Sequence, residues 1–237
     1  MSNMLNTEVL SVLSQLNAVT NSIIIKHPQT VAVSEAQDVM VCVDVSELGT
    51  DPFEPIPLKD SLSDFLNLFK LFPDDHSVEV SGNTINISAG DLSSSYIMDN
   101  AALMDAYNKD PAQFKKTQEA PSVATFDLLV DDMKNIKSAT GVFKDLSEVL
   151  VTSQDGDITV SLGATNKFNA KSNKFSVRKE ADTSKEFEIK IPVENFKMLP
   201  VSDYVVDVKY NSARDAYRIL LTNKSFDSLQ ILMSVKV

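Results

Sequence analysis

An order of helix, strands, helix, strands that runs through half the chain and then starts again constrains this sequence more than any other feature. Val9, Val12, Leu13, Leu16 and Val19 recur at helical spacing and predict a helix over 7–21, capped by Thr7, with Glu8 favoured by the positive end of the helix dipole. Stretches rich in β-branched residues predict strands at 22–26, 30–34 and 38–46. A loop containing Pro52, Pro55 and Pro57 leads to a second helix over 59–72, stopped by Pro73. Three more strands are predicted at 77–81, 84–88 and 92–98, the first two joined by the tight turn Gly82-Asn83. After a polar, weakly patterned stretch the order repeats. Phe126, Leu129, Val130, Met133 and Ile136 predict a helix over 125–140, followed by strands at 147–153 and 157–162 and a strand-rich stretch at 174–191. A short helix over 192–199 has Pro192 at its start, and strands at 203–210, 217–222 and 229–237 close the chain.

Recurrence at this scale implies an internal duplication. It predicts an α+β protein of two similar domains, each an antiparallel sheet covered on one side by two helices. The expected boundaries are 1–100 and 122–237, with 101–121 as an interdomain connector. With 43% hydrophobic residues a real core can form; with 7% aromatics and no Trp it must be largely aliphatic.

The residue inventory is poor in chemistry. Cys42 is the single cysteine, so no internal disulfide can form and a reducing, cytoplasmic setting is expected. Its strand context predicts a buried, inert thiol. The first residues have no basic segment followed by an apolar one, and no apolar run is long enough to span a membrane. His27 and His76 are far apart, which leaves no zinc spacing, and the six glycines are scattered, which leaves no phosphate loop. Asp155-Gly156-Asp157 reads as a hairpin turn, because the later ligands of a calcium loop are missing. Asp74-Asp75 reads as a turn, and the side chains of Asp131-Asp132 diverge on a helix. No catalytic site, metal or cofactor is expected.

A net charge of -11 argues against a protein that grips nucleic acid by neutralising phosphates, unless the charge is unevenly distributed. The outer face of the first helix (Ser11, Ser14, Gln15, Ala18, Asn21) carries neither acid nor base, although 23% of the chain is charged. Lys70 lies on the polar side of the second helix, Lys134 and Lys137 on one flank of the third, and Lys197 on the fourth. Asp74, Asp75, Asp99, Asp105, Asp155, Asp157 and Asp182 sit in loops and at strand edges. A molecule acidic outside and mildly basic on one helical surface can guide a polyanion without holding it tightly. Taken singly, each lysine is an ordinary solvated surface charge; the reading depends on their sharing a face.

Three segments carry a family likeness: Leu13–Lys26 (LSQLNAVTNSIIIK), Pro57–Ser88 (PLKDSLSDFLNLFKLFPDDHSVEVSGNTINIS) and Phe187–Tyr210 (FEIKIPVENFKMLPVSDYVVDVKY). With the order of elements, they make the chain resemble the sliding clamps of T-even-type bacteriophages, part of the wider fold that includes proliferating cell nuclear antigen. The resemblance implies the DNA clamp fold, with helices lining a closed ring of three chains and sheets outside. Three chains would carry about -33, so the exterior would be strongly acidic. It further implies duplex DNA, encircled without sequence preference, a DNA polymerase and a clamp loader as partners, and replication in the cytoplasm of an infected bacterium, with late transcription as a second use to test. By position, Lys70, Lys134, Lys137, Lys197, Asn17 and Asn21 would face DNA. Leu103, Met104, Tyr107, Arg214 and Val235 would border a pocket for partner peptides; the connector residues among them could equally pin the connector to the body. One departure stands out: the first helix has no Lys or Arg between Thr7 and Ile25, where clamps usually carry them. The competing readings are a β-rich structural protein of a virion, which has no need of the repeated helices, and an enzyme with an unrecognised site.

Overall fold

The computed structural model describes residues 5–163 and 175–235, which fall into two compact units, Met1–Ala112 and Gln113–Val237. The division lies inside the stretch expected to be a connector.

In the first unit, α1 (Thr7–Leu16) buries Val9, Val12, Leu13 and Leu16. Its cap is Asn6, one residue before the expected Thr7: the Asn6 side chain accepts from the Val9 N–H at 2.8 Å and donates to the Leu48 carbonyl at 2.7 Å. The helix is shorter than its apolar pattern, because the Val19 and Thr20 N–H groups both turn back to the Leu16 carbonyl. Strands β1 (Ile23–Ile25), β2 (Gln29–Val33) and β3 (Val39–Asp44) follow, and β2 pairs antiparallel with β3. The expected third strand ends early. Asp44 caps a 3-10 turn over Val45–Leu48, and Gly49 closes it at φ +74°, which only glycine adopts cheaply.

A strand missed in the sequence, β4 (Ile56–Leu58), pairs antiparallel with β1. Pro55 and Pro57 obscured it, and a proline is tolerated where a strand has a free side. Helix α2 (Leu62–Phe69) buries Leu62, Phe65, Leu66 and Phe69. The meander β5 (Ser77–Ser81), β6 (Thr84–Ala89) and β7 (Leu92–Ile97) matches the expected strands to within a residue, with Gly82 at φ +60° in its first turn.

The second unit opens with α3 (Ala112–Gln118), in a stretch read as unpatterned. Then come β8 (Ser122–Leu128), α4 (Val130–Val142), β9 (Glu148–Gln154), β10 (Asp157–Gly163), β11 (Ser176–Glu180), β12 (Asp182–Thr183), β13 (Phe187–Pro192), α5 (Val193–Met198), β14 (Tyr204–Asn211), β15 (Ala216–Asn223) and β16 (Leu229–Ser234). The strands β11, β10, β9 and β13 form one antiparallel sheet; β12, β8, β14, β15 and β16 lie side by side in another.

Strand β8 corrects the expected helix over 125–140. Ala124, Phe126 and Leu128 are buried at period two, and Phe126 satisfies a helical spacing with Leu129 and Val130 only by coincidence. Asp155 and Gly156, at φ +54° and +86°, make the two-residue hairpin turn between β9 and β10.

Cys42 is buried on β3, and burial first, then the nearby Asp44 charge, push its thiol up to about 12. A group that holds its proton more tightly when folded stabilises the fold below its unfolded value of 9.0, and that contribution is lost as pH climbs toward 12. The slope is about 1.4 kcal/mol per pH unit. Between pH 8 and 10.5, wild type is expected to lose about 2 kcal/mol more than Cys42→Ala in urea unfolding. Parallel pH curves for the two proteins would show that the thiol is solvated.

Candidate nucleic-acid interface and partner pocket

The first unit presents α1 and α2 as a tied pair. Asn17 Oδ1 accepts from the Ser63 hydroxyl at 3.1 Å, and Asn21 Oδ1 accepts from the Ser63 N–H at 2.8 Å. The Asn21 carbonyl takes the Ser61 and Leu62 N–H groups, both at 3.0 Å. Asn21 therefore caps α2 from outside that helix, supplying the acceptor that Ser61 does not. Both asparagines have a structural duty that the sequence reading did not anticipate. Lys70, exposed at the C-terminal end of α2, donates to Asn67 Oδ1 at 2.9 Å and favours the negative end of the dipole. On the outer face of α1 the exposed Glu8 in the first turn is the one charge beside Ser11, Ser14 and Gln15, and the Ser14 hydroxyl folds back onto the Ser11 carbonyl at 2.6 Å.

The second unit presents α4 and α5. Lys134 is exposed and lies 4.0 Å from the equally open Asp131, a contact worth little in water. Lys137 is half-buried, which lowers its pKa, and its ammonium donates to the Lys197 carbonyl at 2.9 Å and to the Leu199 carbonyl. It thus closes the C-terminal end of α5. The Lys197 side chain pairs with Glu194 at 2.9 Å. Asp132 accepts from the Leu129 N–H at 2.9 Å and pairs with Lys179 of β11, which anchors the start of α4 to the sheet. The lysines assigned to a DNA-facing wall therefore all have protein partners. Lys70 and Lys134 are the most available for a long-range field, and the helix pair of each unit, taken by itself, is near neutral rather than basic.

Of the residues assigned to a partner pocket, Leu103, Met104 and Tyr107 belong to the first unit. Leu103 is 71% exposed, Tyr107 is partly covered, and Met104 is fully buried, so Met104 pins its segment. Arg214 and the half-buried Val235 belong to the second unit. Arg214 lines a cavity of about 480 Å³ together with Lys116, Lys209, Arg218 and Tyr210. The sequence reading missed these four companions. Lys209 stood as one charge in an apolar alternation. A register shift between Val208 and Lys209 buries both, a bulge that turns the lysine inward.

No protein-family model matches this sequence, and no curated protein matches it. Solved structures do. PCNA of A. fulgidus, solved with the C-terminal region of FEN-1 bound, superposes with a TM-score of 0.65 at 12% identity, over 96% of this chain and 94% of that one. PCNA of Thermococcus kodakaraensis gives 0.65 at 13% identity, over 97% and 96%. The DNA polymerase sliding clamp of Caulobacter crescentus gives 0.65 at 9% identity, over 97% of this chain and 63% of that one. At such identities the likeness is one of architecture. Built from antiparallel sheets and a few helices in two units, this chain has the DNA clamp fold.

Proposed function

We propose that the protein is a sliding clamp of the T-even phage type: three chains close into a ring around duplex DNA, a loader places it there, and the ring tethers the replicative polymerase. It acts as a tether rather than a catalyst, in the cytoplasm of the infected bacterium, and polymerase-coupled late transcription could use the same tether. The observation that carries this reading is a clamp architecture extending over 96% of the chain. The near-neutral helical faces agree with it. Each phosphate neutralised would deepen binding and steepen its salt dependence, whereas a ring that travels needs few strong contacts and no base readout. Lys70, Lys134, Lys137, Lys197, Asn17 and Asn21 form the proposed inner wall. Leu103, Met104, Tyr107, Arg214 and Val235 form the proposed partner surface, and the clamp solved with a C-terminal region of another protein supports capture of peptide ends.

The test is retention on DNA after loading onto a nicked plasmid. The protein is expected to stay through gel filtration in 0.2 M salt while the plasmid is circular, and to leave once a restriction enzyme linearises it. Lys70→Glu with Lys134→Glu is expected to reduce the loaded fraction several-fold without changing the melting temperature. Equal retention on circular and linear plasmid would mean grip rather than enclosure. No retention on either would leave the β-rich structural protein as the better reading.

A further inference from the structure

Residues 1–112 hold four Lys and Arg against sixteen Asp and Glu, whereas residues 113–237 hold eighteen against seventeen. Within the acidic first unit, a groove of about 870 Å³ lies between the loop of Pro52, Phe53 and Glu54 and the strands β5 and β6. Strand register fixes its floor: Glu79 stands opposite Asn86, and Asn86 opposite Ser95. Along the strands these positions alternate with the buried Val78, Ile85 and Ile87, and with Tyr96, whose ring meets Phe65 of α2 at 5.2 Å. The groove therefore opens on the sheet face turned away from α2. The Ser95 hydroxyl donates to Asn86 Oδ1 at 2.7 Å, which leaves the amide N–H bonds of Asn86 for an acceptor in the groove. Phe53 is half-buried, its ring set edge-on to His27 at 5.8 Å. Glu54 on the loop and Glu79 on β5 are both exposed. Among the described residues neither is in an ion pair, and no Lys or Arg lines the groove. Three of the unit's four basic residues are engaged elsewhere, Lys26 with Asn108, Lys70 with Asn67 and Lys109 with Gln37.

We infer that this groove binds a basic segment of a partner protein, an arginine side chain lying on the Phe53 ring with its guanidinium between Glu54 and Glu79. Carboxylates alone would take any cation, and the groups beside them narrow the choice. A guanidinium stacks on an aromatic ring and makes forked bonds to a carboxylate, which an ammonium does less well. The Asn86 N–H bonds suit a peptide carbonyl, which a metal ion or a polyamine lacks. At about 870 Å³ the space holds several side chains and not a folded domain. The excess of acid over base in residues 1–112 repels nucleic acid from this face and speeds the encounter with a basic segment. None of the residues of the proposed DNA wall or partner surface lines this groove, so the inference goes beyond both. It is tested without DNA, and loss of plasmid retention and loss of peptide binding are separate results.

The experiment uses the full chain and fluorescence anisotropy at about 0.15 M salt, where exposed charges more than about 8 Å apart are largely screened. The probe is a labelled ten-residue peptide of Gly, Ser and three Arg with blocked ends; its control has citrulline, the uncharged isostere, for each Arg. The arginine peptide is expected to bind at least tenfold more tightly. That ratio should collapse in Glu54→Gln/Glu79→Gln and persist in Glu35→Gln/Asp91→Asn, which removes the same charge from exposed positions of the first unit outside the groove. All four side chains are exposed, so the variants are expected to melt with the wild type. Equal affinity for the two peptides overturns the inference, as does an equal loss in the two variants, which would assign the effect to the general field. Displacement of the probe by spermine at lower concentration than by unlabelled arginine peptide also overturns it, and assigns the carboxylates to small polycations.

Discussion

Ile97→Asp is expected to reduce the native mass from the proposed ring of three chains, about 78 kDa, to the 26.1 kDa of one. Ile97 is 72% exposed and Leu92 52% exposed, and both lie on β7. Among the described residues β7 is bonded to β6 on one side and to no strand on the other. An edge strand with apolar side chains in water templates aggregation unless another chain covers it, and β7 itself carries none of the charges that usually guard such an edge. The second unit has an edge with the opposite character: β11 is bonded only to β10 and carries Arg178 and Lys179. In the proposed ring the two edges meet between neighbouring chains and continue the sheet. Arg178 and Lys179 are already paired with Asp157 and Asp132, so a carboxylate at position 97 would be buried at each junction without a free counter-ion, which costs several kcal/mol per site and at least a hundredfold in association. Because the side chain is exposed in the single chain, melting of the separated protein is expected to stay unchanged. Sedimentation at micromolar concentration reads the result; a variant with wild-type mass would remove β7 from the interface.

Much of this architecture was legible in the sequence, for a physical reason. Where one face of an element is buried and the other wet, periodicity records it: the start of α1 and the strands β5, β6 and β14 fall close to their expected places. Three features were lost where two signals overlapped. Phe126 fits both a strand ending at Leu128 and a helix starting at Val130, and only pairing of β8 with β14 separates them. The three-residue β4 was hidden between prolines. Among the described residues of α3, Phe114 and Thr117 are buried, too few positions to form a stripe. The candidate sites were less legible because side-chain partners are invisible to spacing. Nothing in the order of residues said that Lys137 would be consumed by the end of α5, that Asn21 would cap α2, or that Lys209 would meet Arg214 and Arg218 around one cavity.

The second large effect is expected in the first unit, where Phe65→Ala should cost about 3–5 kcal/mol in urea unfolding, followed by far-ultraviolet circular dichroism because the chain has no Trp. Phe65 is fully buried and meets the rings of Phe69 and Tyr96 edge to face, at 5.0 and 5.2 Å with interplanar angles of 68° and 72°. Truncation removes the transfer energy of the ring, leaves a cavity that neighbouring strands cannot fill, and forfeits two aromatic contacts worth about 0.5–1.5 kcal/mol each. Phe65→Leu keeps most of the volume and is expected to cost less than Ala by about half. The consequence reaches the proposed inner wall through α2. Phe65 seats that helix, whose start receives Asn21 and whose end carries Lys70, so loosening it disturbs wall residues that Phe65 never touches. If the wall acts only by enclosing DNA, Phe65→Ala held below its unfolding midpoint should keep its retention on circular plasmid despite the lost stability. A variant still folded but released from the circle would mean that the exact seating of α2 matters, and that the wall grips. A stability loss below about 1 kcal/mol would mean that the Phe65 site collapses around the truncation, contrary to the packing described.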